Sequence, residues 1–315
     1  MKKKCIVISA LGEESFTDLQ IKNLQSALDV SFHSQVEEMH SDSFIDLCAN
    51  AEIIGLTRRP LKKLDKDVIR HLPNLKAVAV YTTGYDWIDV DYLSQQQILL
   101  SFLPDYATIT VAEHTLALIL TMSRRVHLSS DKVKGRVAAD VSLRGWELRN
   151  KSLGIIGFGR IGQEIASVVK SLGMNIAYFD DKQRPSDIDY LPFDELLKGS
   201  DIIVLSASRK RNATPLIGRQ QFCLIKEGAY LINPSRSELV DNVELLKAIK
   251  SRRLAGYAVD DKIDLFLDDK ELEEGRILQT GHTAWYSTEA IARGTENWVD
   301  NIIALGLNEP KNIIK

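Results

Sequence analysis

Leu153-Gly154-Ile155-Ile156-Gly157-Phe158-Gly159-Arg160-Ile161-Gly162 decides how this chain folds. The apolar pair Ile155-Ile156 ends a strand, the glycines at 157, 159 and 162 fit G-x-G-x-x-G, and Gln163 to Leu172 continues as a helical pattern. Strand, tight turn and helix, in that order, seat a pyrophosphate on a helix N-terminus. Gly157 makes the turn, Gly159 admits the phosphates with no Cβ in the way, and Gly162 lets helix and strand approach. A glycine turn of purely structural use has the same three residues, so the context matters. The next apolar run, Ile176-Ala177-Tyr178-Phe179, ends in Asp180, where a second strand presents a carboxylate to an adenosine ribose. Asp180 and Asp181 repel a 2'-phosphate, so NAD is expected over NADP.

The 315 residues, 44% hydrophobic and 26% charged, describe an ordinary globular chain long enough for two domains. A formal net charge of -3 gives no electrostatic case for nucleic acid or an anionic membrane and points to small-molecule partners. Lys2 to Lys4 before Cys5 to Leu11 has the look of a signal peptide, but the apolar run is short and Glu13 and Glu14 follow, so it reads as a first strand. The three cysteines, Cys5, Cys48 and Cys223, are odd in number and far apart, which suits a reduced cytoplasm. Nothing approaches the roughly 20 apolar residues of a membrane span.

Short β-branched runs alternate with helical segments through the first hundred residues: Ile6 to Ile8, Thr17 to Leu28, Val30 to Phe32, Ser43 to Ala49, Ile53 to Leu56, Asp67 to Leu72, Leu75 to Val80, Val90 to Gln95 and Ile98 to Phe102. Such alternation implies right-handed crossovers and a parallel sheet. One long helix, Ala107 to Val126, is expected to link this first domain to a second. The second continues with the strands Ile202 to Leu205, Ala229 to Ile232, Leu254 to Val259 and Ile277-Leu278, each preceded by a helix. The helix Ser287 to Leu307 is longer than the second sheet needs and is expected to return to the first domain. Two crossings imply a cleft, with cofactor at the carboxyl ends of the second sheet and substrate between the domains.

Two residues at those strand ends carry candidate chemistry. Arg236, in Leu231-Ile232-Asn233-Pro234-Ser235-Arg236, can hold a carboxylate through two parallel hydrogen bonds and polarise an adjacent ketone. His282, after Ile277-Leu278, can donate and accept a proton at neutral pH. The other histidines, at 33, 40, 71, 114 and 127, read as structural or solvated.

Thr83-Gly84-Tyr85-Asp86 with Ile88-Asp89, Val111 to Ala117, the glycine fingerprint, Asn233 to Asp241, and Gly281-His282-Thr283-Ala284 follow one another in an order that resembles the D-isomer-specific 2-hydroxyacid dehydrogenases, the group of D-lactate, glycerate and phosphoglycerate dehydrogenases. The resemblance implies two doubly wound parallel-sheet α/β domains with a cleft between them. These are a flavodoxin-like substrate domain (1–101 plus 286–315) and a Rossmann NAD-binding domain (102–285). It implies hydride exchange between NAD(H) and a 2-oxo acid or D-2-hydroxy acid, with Arg236 binding the acid, His282 giving the proton, and no metal. Thr83, Gly84 and Tyr85 match backbone contacts to the substrate carboxylate. Arg160 and Ile161 match pyrophosphate contacts, Pro234 and Ser235 lie along the cofactor, and Asp260 matches a contact to the nicotinamide carboxamide. Arg59 matches an arginine that faces a phosphorylated substrate, so a phosphorylated, phosphonylated or dicarboxylic oxo acid is expected to outperform pyruvate. A homodimer is expected from the family, and the end at Lys315 is expected to leave no room for the regulatory domain some relatives carry.

Two departures stand out. The usual Thr-Pro-His is Thr280-Gly281-His282, and the glutamate that orients the histidine is replaced by Leu265. The imidazolium loses that stabilising carboxylate. Asp264 is the nearest replacement, with Asp261, Asp268 and Asp269 as alternatives because the interval from Asp260 to His282 is short. The missing glutamate keeps one rival open, an NAD(H)-binding regulatory protein with weak or no turnover; a third reading is an oxidoreductase of the same fold acting on another small anion such as phosphite.

Overall fold

The computed structural model describes residues 2–209, 213–264 and 275–314. They fall into two units, Met1–Tyr106 with Ser287–Lys315, and Ala107–Tyr286. The first crossing lies at Tyr106 and not after Ser101, for a reason visible in the backbone. The Phe102 amide donates to Asn312 O (3.1 Å), the Leu103 amide to Thr82 O (3.0 Å), and the Thr83 hydroxyl to Leu103 O (2.9 Å), which ties this stretch to the first sheet.

In the first unit β1 (Lys4–Ser9), β2 (Asp29–Ser34), β3 (Ile53–Leu56), β4 (Ala77–Val80) and β5 (Leu99–Ser101) form a parallel sheet in the order β2-β1-β3-β4-β5. Helices α1 (Asp18–Ala27), α2 (Ser41–Cys48), α3 (Lys66–Ile69) and α4 (Val90–Gln95) make the crossovers. α1 starts at a reciprocal Thr17–Gln20 capping box, a signal worth about 1 kcal/mol. Ile8, Ile54, Leu56, Val78 and Val80 face Phe44, Val68, Ile69 and Leu93 on one side of the sheet. The C-terminal helix Thr288–Gly306 covers the other: Trp298, buried, donates from its indole to Ala79 O at 2.9 Å. Gly55 lies below it, where an added Cβ would come within 2.9 Å of Ile302 Cδ1 and push that side-chain end aside.

The second unit opens with α5 (Thr108–Arg124) and α6 (Val126–Val133), then β6 (Ser152–Ile156), α7 (Arg160–Lys170), β7 (Asn175–Phe179), β8 (Asp189–Tyr190), α8 (Phe193–Gly199), β9 (Ile202–Leu205), α9 (Arg219–Leu224), β10 (Ala229–Asn233), α10 (Asn242–Lys250), β11 (Leu254–Val259) and β12 (Ile277–Gln279). The seven strands are parallel in the order β12-β11-β10-β9-β6-β7-β8, reversing direction of growth between β6 and β9. Because both faces are covered, successive residues are apolar and go opposite ways. Ile155, Ile202, Ile232 and Ala258 pack with α5 and α7, while Ile156, Ile203, Leu231 and Tyr257 pack with α8, α9 and α10. The helix expected before β12 falls on residues 265–274, outside those described.

The single helix expected from Ala107 to Val126 is instead broken at Arg125, which is left-handed (φ 54°). An unbroken helix would give the Ser123 carbonyl to the His127 amide. Here the amide of Trp146 takes it at 2.9 Å, and Gly145, lacking a Cβ, is what lets that strand of chain come so close.

Candidate active site

The carboxyl edge of the seven-stranded sheet carries almost every candidate in the second unit. At the end of β6, Gly157 has φ 90° and a Cβ on it would come within 2.6 Å of Ala207 N. A Cβ on Gly162 would overlap the Gly157 carbonyl, so this glycine closes the helix onto the turn as well as onto Ile155 of the strand. Nothing stands within 4 Å of the Cβ position of Gly159, the residue just before α7, which starts at Arg160 and Ile161. Beside it, at the end of β9, Ser206 Oγ is buried with no hydrogen-bond partner among the described residues. A helix N-terminus and an unpaired hydroxyl fit a dinucleotide pyrophosphate.

Asp180, just past β7, accepts the Phe158 amide (2.8 Å) and the Lys182 amide (3.3 Å), with Arg184 Nε at 3.3 Å. Burial opposes its charge, yet those hydrogen bonds prevail and hold its carboxyl below the usual range. Phe158 stacks on Tyr178 with ring centroids 3.9 Å apart, which locks turn to strand. Arg184 brings a positive charge to a place where the sequence set only Asp180 and Asp181 against a 2'-phosphate.

Past β10, Pro234 is buried and the Ser235 hydroxyl donates to Leu205 O (2.9 Å), joining this loop to β9. Asn233, fully buried, is the hub: its Nδ2 donates to Arg236 O (2.8 Å) and to the Tyr257 hydroxyl oxygen (3.1 Å), and its Oδ1 accepts the Ser235 amide (3.1 Å). Burial pushes the Tyr257 phenol up, so it stays neutral. On the far side, the hydroxyl and amide of Ser237 donate to Asp261 Oδ2 (2.7 and 3.3 Å). The loop that carries Arg236 is thus gripped before and after it. Arg236 itself is half-buried, with Nη1 donating to Ser235 O (3.1 Å).

Past β11 stands Asp260, only 2% exposed. It accepts the Thr280 hydroxyl (2.7 Å), the Thr283 amide (2.8 Å) and the Ala284 amide (2.7 Å), and His114 Nε2 lies 3.8 Å away. His282, between these anchors, is exposed. Of the acids offered as partners for it, Asp264 is paired with Lys262 at 2.8 Å and 82% exposed, and Asp261 serves Ser237. Leu265, Asp268 and Asp269 lie outside the described residues. The hub role of Asn233 and the part of His114 were not read from sequence. A buried amide ending an apolar strand was the available signal for the first; the second had none.

In the first unit, Arg59 follows β3 and the Thr83-Gly84-Tyr85 turn follows β4, so both lie on the carboxyl edge of that sheet on neighbouring strands. Arg58 is committed to Leu61 O (2.9 Å) and to the face of Trp87 (4.9 Å), whereas Arg59 is exposed. The turn is tied by the Thr82 hydroxyl, which accepts the Gly84 amide (3.2 Å), and by the Trp87 indole on Gly84 O (3.2 Å). Tyr85 rests edge-on against Phe102.

A parallel sheet of this order, with a glycine turn, an acid past the next strand, and an arginine and a histidine on its carboxyl edge, has the form of a dinucleotide-binding domain. Residues 116–284 match the family model of the D-isomer specific 2-hydroxyacid dehydrogenase, NAD binding domain, and the chain belongs to that family. It is 31% identical to the glyoxylate reductase of Thermococcus litoralis over 84% of this chain and 84% of that one. Among solved structures it is similar to an acyclic imino acid reductase in complex with NADPH and D-Arg (TM-score 0.86, 26% identity, 98% of this chain and 100% of that one). It is also similar to a D-lactate dehydrogenase from Aquifex aeolicus complexed with NAD and lactic acid (TM-score 0.79, 26% identity, 97% and 96%). The protein is an oxidoreductase of the 2-hydroxyacid dehydrogenase family and binds NAD(H). No described helix is long and apolar enough to cross a membrane.

Proposed function

We propose that the protein reduces a 2-oxo acid carrying a second anionic group to the D-2-hydroxy acid. The observation that carries this reading is the placement of Arg236 and His282 at the ends of β10 and β12, on either side of Asp260 at the end of β11. Gly157 to Gly162 and Asp180 hold the dinucleotide, and Pro234 and Ser235 line its path. Bound NADH supplies the hydride that goes to C2 of the oxo acid. Arg236 grips the C1 carboxylate and draws electron density toward the C2 oxygen. Protonated His282 gives that oxygen its proton, so the oxo acid gains one hydride and one proton. The amides of the Thr83-Gly84-Tyr85 turn bind the same carboxylate, and Arg59 takes the second anion.

Steady-state kinetics with NADH over a panel of oxo acids test this. A phosphorylated, phosphonylated or dicarboxylic substrate is expected to exceed pyruvate in kcat/KM, and Arg59→Ala is expected to erase that advantage. Unchanged kinetics in Arg59→Ala would refute the contact. Leu265 in place of the glutamate favours one other reading, an NAD(H)-binding regulator, for which tight NADH binding with no turnover across the panel is the signature.

A further inference from the structure

His282 has a left-handed backbone, φ 58°. A β-carbon makes that conformation uncommon; histidine enters it more readily than most residues, and what surrounds it holds it there. A single carboxylate grips the chain on both sides. Asp260 accepts the Thr280 hydroxyl, two residues before the histidine, and the amides of Thr283 and Ala284, the two residues after it. His114 Nε2 stands 3.2 Å from Thr280 Oγ1. The one proton of that hydroxyl goes to Asp260, so its oxygen accepts, and His114 presents Nε2–H. The chain of donors runs from α5 through Thr280 to the buried acid, and each bond polarises the next.

We infer that Asp260 is a positioning residue for His282. It sets the backbone from which the imidazole projects, with Thr280 and His114 behind it, in a chain whose Leu265 cannot orient the ring. This rests on His282 being the proton donor. It also separates Asp260 from a purely cofactor-binding role, because three of its roughly four acceptor positions are already taken by the histidine loop.

Thr280→Val keeps the shape and removes the hydroxyl, Thr280→Ser restores it, and Asp260→Asn weakens the grip directly. Thr280→Val and Asp260→Asn are expected to lower kcat for oxo acid reduction by about 10- to 100-fold, the scale of a small misplacement at a reacting centre. KM for the oxo acid and Kd for NADH should stay within about twofold, and Thr280→Ser should recover most of kcat. A loss of NADH affinity parallel to the loss of kcat, or an unchanged kcat, would overturn the inference. A second measurement needs no turnover. Relieving the left-handed residue by His282→Gly should raise Tm by about 2–4 °C in the otherwise unaltered protein. It should raise it by much less in the Asp260→Asn or Thr280→Val background, where the grip is loosened. Equal shifts in all backgrounds would show that Asp260 does not impose the conformation. If the unaltered protein reduces no oxo acid, the proposed reaction fails while the Tm comparison still decides the grip.

Discussion

At β6 and β7 the carboxyl edge of the second sheet is shaped by side chains that are missing, and at β10 to β12 it is held by side chains that are present. Gly157, Gly159 and Gly162 work because a Cβ would collide or would block an approach. Asn233, Asp260 and Asp261 work because their amide and carboxylate groups reach across loops and hold the segments that carry Arg236 and His282. The first device tolerates almost no variation, since sterics near a turn are unforgiving. The second can be rebuilt with different residues so long as each polar group finds a partner. That is where the resemblance sets this chain apart, with Gly281 before the histidine and Leu265 where a glutamate is expected.

The largest expected effect lies at the second end. His282→Ala should lower kcat for oxo acid reduction by about 10²- to 10⁴-fold, the usual contribution of a general acid, with Kd for NADH unchanged. Single-turnover hydride transfer measured with and without the substitution checks it. A rate insensitive to this change would remove His282 from the chemistry, and with it the functional contrast between the two ends.

A smaller effect is expected at the first end. Asp180→Ala should narrow a preference for NADH over NADPH that is at least about tenfold in the unaltered protein, because the acid proposed to accept ribose hydroxyls and repel a 2'-phosphate is gone while Arg184 remains. Fluorescence titration with both cofactors measures the gap, and equal affinities in the unaltered protein would sink the assignment. The pH dependence has a definite sign. The carboxyl of Asp180 is held below its ordinary value, so the stability it contributes is present above the unfolded value of about 4 and is lost as pH falls through the lowered one.

The same contrast explains what the sequence displays and what it hides. The glycine turn, the acid after β7 and the apolar strands are local and periodic, so both sheets can be read off the chain. Arg125 breaks its helix because an amide from Trp146 claims Ser123 O, a partner distant in sequence and invisible to periodicity. The two-residue β8 is too short to carry a pattern. Asp260 reads as a cofactor contact because its position matches the family, while its bonds to Thr280, Thr283 and Ala284 depend on how a loop after β12 folds back. Arg236 and His282 were legible as residue types at strand ends; the groups that hold them were not.

The smallest expected effect sharpens the comparison from the arginine's side. Asp261 accepts both the hydroxyl and the amide of Ser237, the residue after Arg236, and Asn233 holds the carbonyl of Arg236 itself. Two anchors share the load, so loosening one should let the guanidinium wander without freeing it. Asp261→Asn keeps a neutral acceptor for the Ser237 amide and weakens the charge-assisted bond to its hydroxyl, a class of bond worth about 1.5–3 kcal/mol when lost outright. With Asn233 still in place only part of that should appear at the substrate. The expected result is a KM for the oxo acid raised about 3- to 10-fold, with kcat and Kd for NADH little changed. In the proposed reaction the grip on the carboxylate acts in ground state and transition state alike, so losing part of it raises KM, while the Asn233 anchor keeps the guanidinium near enough to polarise the C2 oxygen and spare kcat. Should kcat fall while KM holds, Asp261 would belong with His282 as the acid that replaces the lost glutamate, and the two loops would share one carboxylate cluster.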